Sequence, residues 1–105
     1  MNKFFALTLF SVFCVSQIAI AGNVSSNCTL NGIKLYGKVK VVNNFEDFKV
    51  KQVTSFEDLR VNKVTSFPDA CGRWQFVDSF EDFKIKYVDN FEDFKIKFVD
   101  SFEGI

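Results

Sequence analysis

The sequence predicts an all-β domain, a compact wound β-repeat forming a solenoid- or torus-like closed roll, preceded by the helix of a cleaved signal peptide. Three observations carry that prediction. A unit of eleven residues recurs along the chain, apolar residues and lysines alternate within the units, and nearly every unit bends at the same Phe-Glu-Asp corner.

The N-terminus, MNKFFALTLFSVFCVSQIAIAG, has a cation at Lys3, an apolar run from Phe4 to about Val15 and the small-x-small triplet Ala19-Ile20-Ala21. That pattern predicts a secretory signal over residues 1–21, cut before Gly22, and a periplasmic or extracellular destination. The run is short of the roughly 20 apolar residues of a spanning helix, so no membrane span is expected. Bulky Phe13 argues against lipidation at Cys14, which leaves with the signal.

The remaining 84 residues carry 12 basic and 13 acidic side chains and no histidine. So even a balance gives no field for a phosphate backbone, and nucleic acid is not an expected partner. A chain this short buries a modest share of its surface and needs a staple. Cys28 and Cys71 supply one, because an exported chain with two cysteines usually joins them. The chain-entropy model values a closed loop of about 44 residues at roughly 4 kcal/mol.

After a lead-in segment over residues 22–37, residues 38–105 are accounted for by the repeat: VNNFEDFKVKQ, VTSFEDLRVNK, an irregular VTSFPDACGRWQF, VDSFEDFKIKY, VDNFEDFKIKF and a truncated VDSFEGI, with KVKVV upstream as half a unit. Eleven residues is also a helical supercoil period, so helix has to be excluded. In Phe83-Lys84-Ile85-Lys86-Tyr87 apolar residues alternate with lysines, the period of a half-buried strand. A helix would set Lys84 on one stripe with Tyr87 and Val88. The units are also rich in Val, Ile and Phe, the residues that favour strands.

Asp, Ser and Asn bond their own following amides and favour turns, so stretches such as Asp78-Ser79-Phe80-Glu81-Asp82 are the corners. The corner residues Phe45, Phe56, Phe67, Phe80, Phe91 and Phe102 are expected to plug the core, an aromatic binding row being the sharper alternative that burial statistics disfavour. Identical corners taken in one sense make a chain circulate rather than meander. Circuits of two or three units are expected, with strands pairing between circuits, and closure would remove free edges.

The eleven-residue cadence, the Gly72-Arg73-Trp74-Gln75-Phe76-Val77-Asp78 junction, the Val-Asp-Ser/Asn-Phe corners and the short Gly-containing end resemble the small bacterial septoil-knot domain proteins. The resemblance covers about Val39 to Ile105. It implies a seven-crossing torus knot and a monomeric domain, and it implies no activity.

The acids of the corners, such as Glu46-Asp47, Glu57-Asp58, Glu81-Asp82 and Glu92-Asp93, could in principle form a calcium ladder. The tight glycine turns that converge six to eight oxygens are missing, so a charge ladder paired with Lys84, Lys86, Lys95 and Lys97 is the simpler expectation. Near-equivalent acid pairs offer no asymmetric cleft, and without histidine or a phosphate loop no catalytic residue, cofactor or metal ligand is predicted. The repeat breaks only over residues 67–76, where Arg73 and Trp74 are the candidate contact site, while a reversing or threaded loop with Trp74 capping the core is the simpler expectation. The functional expectation is an exported structural or protein-binding domain without enzymatic activity, its protein partner unidentified. The alternatives are a self-assembling extracellular fibre subunit and, more weakly, a calcium-binding roll.

Overall fold

The computed structural model describes residues 20–21 and 24–105. The signal expectation, Cys14 included, concerns residues outside these apart from Ile20 and Ala21. Every regular element among the described residues is a strand. Four short strands form the lead-in: β1 (Ile20–Ala21), β2 (Val24–Ser25), β3 (Thr29–Leu30) and β4 (Ile33–Lys34), paired antiparallel as β1 with β2 and β3 with β4. Six more form the domain: β5 (Gly37–Val41), β6 (Phe48–Gln52), β7 (Leu59–Lys63), β8 (Arg73–Phe76), β9 (Phe83–Tyr87) and β10 (Phe94–Phe98).

These six close an all-parallel barrel in the order β10-β6-β9-β5-β8-β7, with β7 returning to β10. Every neighbouring pair joins one strand of the first three to one of the last three. The chain therefore goes round twice. Strands β5, β6 and β7 take alternate places, and β8, β9 and β10 fill the places between, as expected of circuits that pair with each other. A constant step of two places would return the fourth strand to the place of the first. The thirteen-residue third unit moves the chain on by one place instead.

Each regular connection crosses a strand of the other circuit. Residues 42–47 pass over β9: the Val42 amide donates to the Ile85 carbonyl at 2.9 Å and the Asp47 amide to that of Lys84 at 2.9 Å. These carbonyls point to opposite sides of β9, where β5 and β6 lie. Residues 53–58 cross β10 in the same way, 77–82 cross β5, 88–93 cross β6 and 99–104 cross β7. A filled interior sends every crossing outside.

That interior follows from the alternation. Val39, Phe48, Val50, Leu59, Val61, Trp74, Phe83, Ile85, Phe94 and Ile96 face inward and are buried, while the intervening lysines face out. Phe48, Phe83, Trp74 and Phe94 pack edge to face with ring centroids 5.5 to 6.5 Å apart, the arrangement aromatic quadrupoles prefer. Val24, Cys28 and Leu35 of the lead-in extend this core. The Leu35 carbonyl accepts from Trp74 Nε1 at 3.0 Å and from the Gly72 amide at 3.3 Å. Cys28 and Cys71 form a disulfide, their Cα atoms 5.9 Å apart, that staples the lead-in to the irregular unit.

Gly72 makes the one-place step possible. Its φ is +82°, and a Cβ there would run into the Arg60 carbonyl oxygen and lie 2.7 Å from the Gly104 amide nitrogen. Gly72→Ala therefore combines left-handed strain with a backbone clash, and urea unfolding should show a loss of more than about 1 to 2 kcal/mol. Gly32→Ala is the control, since Gly32 has φ +81° but open space around it. It should cost only the strain, about 1 to 2 kcal/mol, and equal losses at both sites would contradict the packing account.

Candidate functional site

The corner phenylalanines are not core plugs. Phe45, Phe56, Phe67, Phe80, Phe91 and Phe102 are between 74% and 93% exposed. The reason is that the inward strand residues already fill the barrel, while the corners lie outside it. Each corner turns through its phenylalanine, whose φ lies between 54° and 63°. This left-handed conformation costs a residue with a Cβ about 1 to 2 kcal/mol, and Gly or Asn would adopt it more readily. With one phenylalanine in every connection between barrel strands and one in the terminal crossing, the six form a belt around the outside of the ring.

The neighbouring acids work as fasteners. Asp82 Oδ2 accepts the Lys38 amide at 2.8 Å, Asp93 Oδ2 that of Lys49 at 2.7 Å, Asp47 Oδ2 that of Lys84 at 2.8 Å and Asp58 Oδ2 that of Lys95 at 2.8 Å. Each of these aspartates thus donates its amide to the crossed strand and accepts an amide from it. Carboxylate oxygens held this way are poorly placed for a shared cation, and among the described residues no group of three His, Cys, Asp or Glu side chains could hold a metal. The glutamates pair along their own corners: Glu46 with Lys49 at 3.8 Å, Glu81 with Lys84 at 3.6 Å and Glu92 with Lys95 at 3.5 Å. Hydrogen bonding to their own backbone amides lowers the pKa of Glu81 and Glu92 below the usual 4.5, and their lysine partners add to this. Glu103 is lowered in the same way, with help from Asn62 and Arg73.

Arg73 and Trp74 do not form an exposed pair. Trp74 is wholly buried in the aromatic cluster, which agrees with the core-capping loop and leaves no exposed Arg73-Trp74 contact pair. Arg73 belongs to a clasp on the terminal residues. It lies 4.0 Å from Glu103, while Arg60 donates through Nε to the Phe102 carbonyl at 2.7 Å and through Nη2 to that of Ile105 at 2.9 Å. Asn62 Nδ2 reaches the Asp100 carbonyl and Glu103 Oε1, both at 3.3 Å. Strand β7 thus departs from the lysine pattern because the last crossing over it is held without a corner aspartate; Gly104 stands there and exchanges backbone hydrogen bonds with Arg60 at 2.8 and 2.9 Å.

A second surface lies where the strands end. Parallel strands bring their C-terminal residues to one end of the barrel, and Val41, Gln52, Lys63, Phe76, Tyr87 and Phe98 line a cavity of about 490 Å³ there. Lys63 Nζ stands 4.7 Å from the Phe98 ring centroid, and the Phe76 and Phe98 centroids are 6.4 Å apart. Burial raises the Tyr87 phenol above its ordinary pKa of 10.0. The sequence carried one signal for this mouth: the last place of the unit reads Gln, Lys, Phe, Tyr, Phe, where most other places barely change.

An all-parallel β ring woven from two interlocked circuits defines the class of this protein. The 7(1) septoil knot domain family matches residues 32–105, and the chain belongs to that family. No curated protein matches it.

Because the corner phenylalanines are strained and unburied, Phe80→Asn should leave the melting temperature unchanged or raise it, with relief of up to about 1 kcal/mol. Loss of several kcal/mol on thermal unfolding would restore the core-plug reading. The glutamates set an acid dependence. Their folded pKa values lie below the unfolded value of 4.5, so their contribution is present above that value and lost as pH falls through the folded values. Urea midpoints should drop between pH 5 and pH 3, about the unfolded glutamate range, and replacing Glu81, Glu92 and Glu103 together by Gln should flatten that drop.

Proposed function

We propose that the protein is an exported, non-catalytic binding domain that presents phenylalanine knobs from a rigid ring to a protein partner. One observation carries this reading: six aromatic side chains stand in solvent on strained backbone at equivalent corners. Burying a phenylalanine is worth about 1.5 to 3 kcal/mol, and the fold leaves that free energy unused six times. Five of the six, all but Phe67, sit on short crossings fastened at both ends and so lose little entropy on docking. Six equivalent knobs also suit repeated engagement, in which linked contacts add avidity.

The flanking charge favours a partner with apolar pockets and basic rims. Asp78, Asp89 and Asp100 are exposed two residues before Phe80, Phe91 and Phe102 and have no lysine partner among the described ion pairs. Export is supported by the disulfide, which persists in oxidising compartments. Among the described residues no helix is long and apolar enough to cross a membrane. A fibre built by strand addition would first have to open the ring, because every barrel strand has a neighbour on each side.

The test uses the processed domain as bait in the native exported fraction, beside a variant with all six corner phenylalanines replaced by Asn. The wild type should capture a partner that the variant loses while keeping its near-UV circular dichroism. Equal capture by both forms would sink the knob reading.

A further inference from the structure

The mouth of the barrel is a separate surface, and its chemistry is more specific than that of the belt. Its floor is built from the preceding inward residues, among them Val39, Val50, Val61, Ile85 and Ile96, all fully buried. The lead-in residues Val24, Cys28 and Leu35 join the core while this end stays open, with Val41 and Tyr87 more than two-fifths exposed.

The lining is arranged by the weave. Phe76, Tyr87 and Phe98 end the strands of the second circuit, so the three aromatic residues alternate around the mouth with Val41, Gln52 and Lys63. Each aromatic is followed in sequence by Val-Asp, at Asp78, Asp89 and Asp100; the corresponding first-circuit places hold Asn43, Thr54 and Thr65. Asp78 shares an adjoining recess with Phe76 and Val41, and Asp89 shares another with Tyr87 and Gln52. Aromatic faces with carboxylates at their edge attract organic cations through the ring quadrupole and direct charge. The structure already holds one such contact, because the Lys63 ammonium occupies the Phe98 face at 4.7 Å.

We propose that the open end of the barrel binds organic cations of the quaternary ammonium class, caged by Phe76, Tyr87 and Phe98, with Lys63 as a tethered competitor. A methylated ammonium is weakly hydrated and fills space between rings better than the strongly hydrated lysine head. A ligand therefore gains by displacing Lys63 outward, where its flexible stem lets the ammonium return to water.

Isothermal titration of the full processed domain with choline tests this, using 3,3-dimethylbutan-1-ol as the neutral isostere. Choline should bind, and the isostere should bind at least about tenfold more weakly because it lacks the charge that the rings attract. Lys63→Met, which removes the competing charge, should tighten choline binding by about tenfold. Phe98→Leu should abolish binding while near-UV circular dichroism and melting stay close to wild type. Equal affinity for choline and the isostere would overturn the cation site in favour of a merely apolar mouth, and absence of choline binding in both wild type and Lys63→Met would overturn it altogether. Neither result bears on the phenylalanine belt, which lies outside the ring.

Discussion

The structure depends on the two-way hydrogen bonding between each corner aspartate and the strand it crosses. A connection that passes outside a barrel has no core to bury and would otherwise peel away. Here the aspartate amide meets one carbonyl of the crossed strand, the aspartate carboxylate takes the amide of that same residue, and the valine at the start of the crossing bonds the other side. These bonds satisfy the outermost backbone groups of the ladder and fix the height at which the next strand begins. Register, closure and the inward direction of the aromatic side chains all follow from that height.

The fastening also explains why some residues vary between units and others do not. Aspartate repeats because its backbone role is the same at four crossings. Where glycine replaces it at Gly104, the neighbouring strand changes too, and Arg60 and Asn62 hold the terminal residues with side-chain bonds. Lys49, Lys84 and Lys95 recur at one place of the unit, where each pairs with the glutamate of its own corner. The residue that ends each strand has no such partner, so it is free to differ.

Much of this was legible in the sequence. The alternation in Phe83-Lys84-Ile85-Lys86-Tyr87 identified strands, the identical corners implied winding and closure, and Cys28 and Cys71, the two cysteines outside the expected signal, implied their pairing. The corner phenylalanines were misread because regular aromatic spacing fits a core stripe and an outward row equally well. The choice depends on backbone handedness at the bend, and a bulky residue gives no hint of a positive φ. Arg73 and Trp74 drew attention as a break in the pattern, but the break serves the path of the chain and the tryptophan fills the interior. The mouth was visible only as one place in the unit that fails to repeat, and its meaning needed the parallel topology that gathers those places at one end.

The one-place step at the third unit has a consequence for how such a domain could change in length. In an open solenoid, copies can be gained or lost at little cost, since each stacks only on the next. Here a duplicated eleven-residue segment would add a step of two places and send the next strand to a place its own circuit already holds, while a deletion would leave one place of the ring unfilled. Size is therefore quantised by interleaving, and variation is confined to substitution within a fixed count. That leaves the knobs, the mouth residues and the lead-in as the parts that can diverge while the ring stays whole.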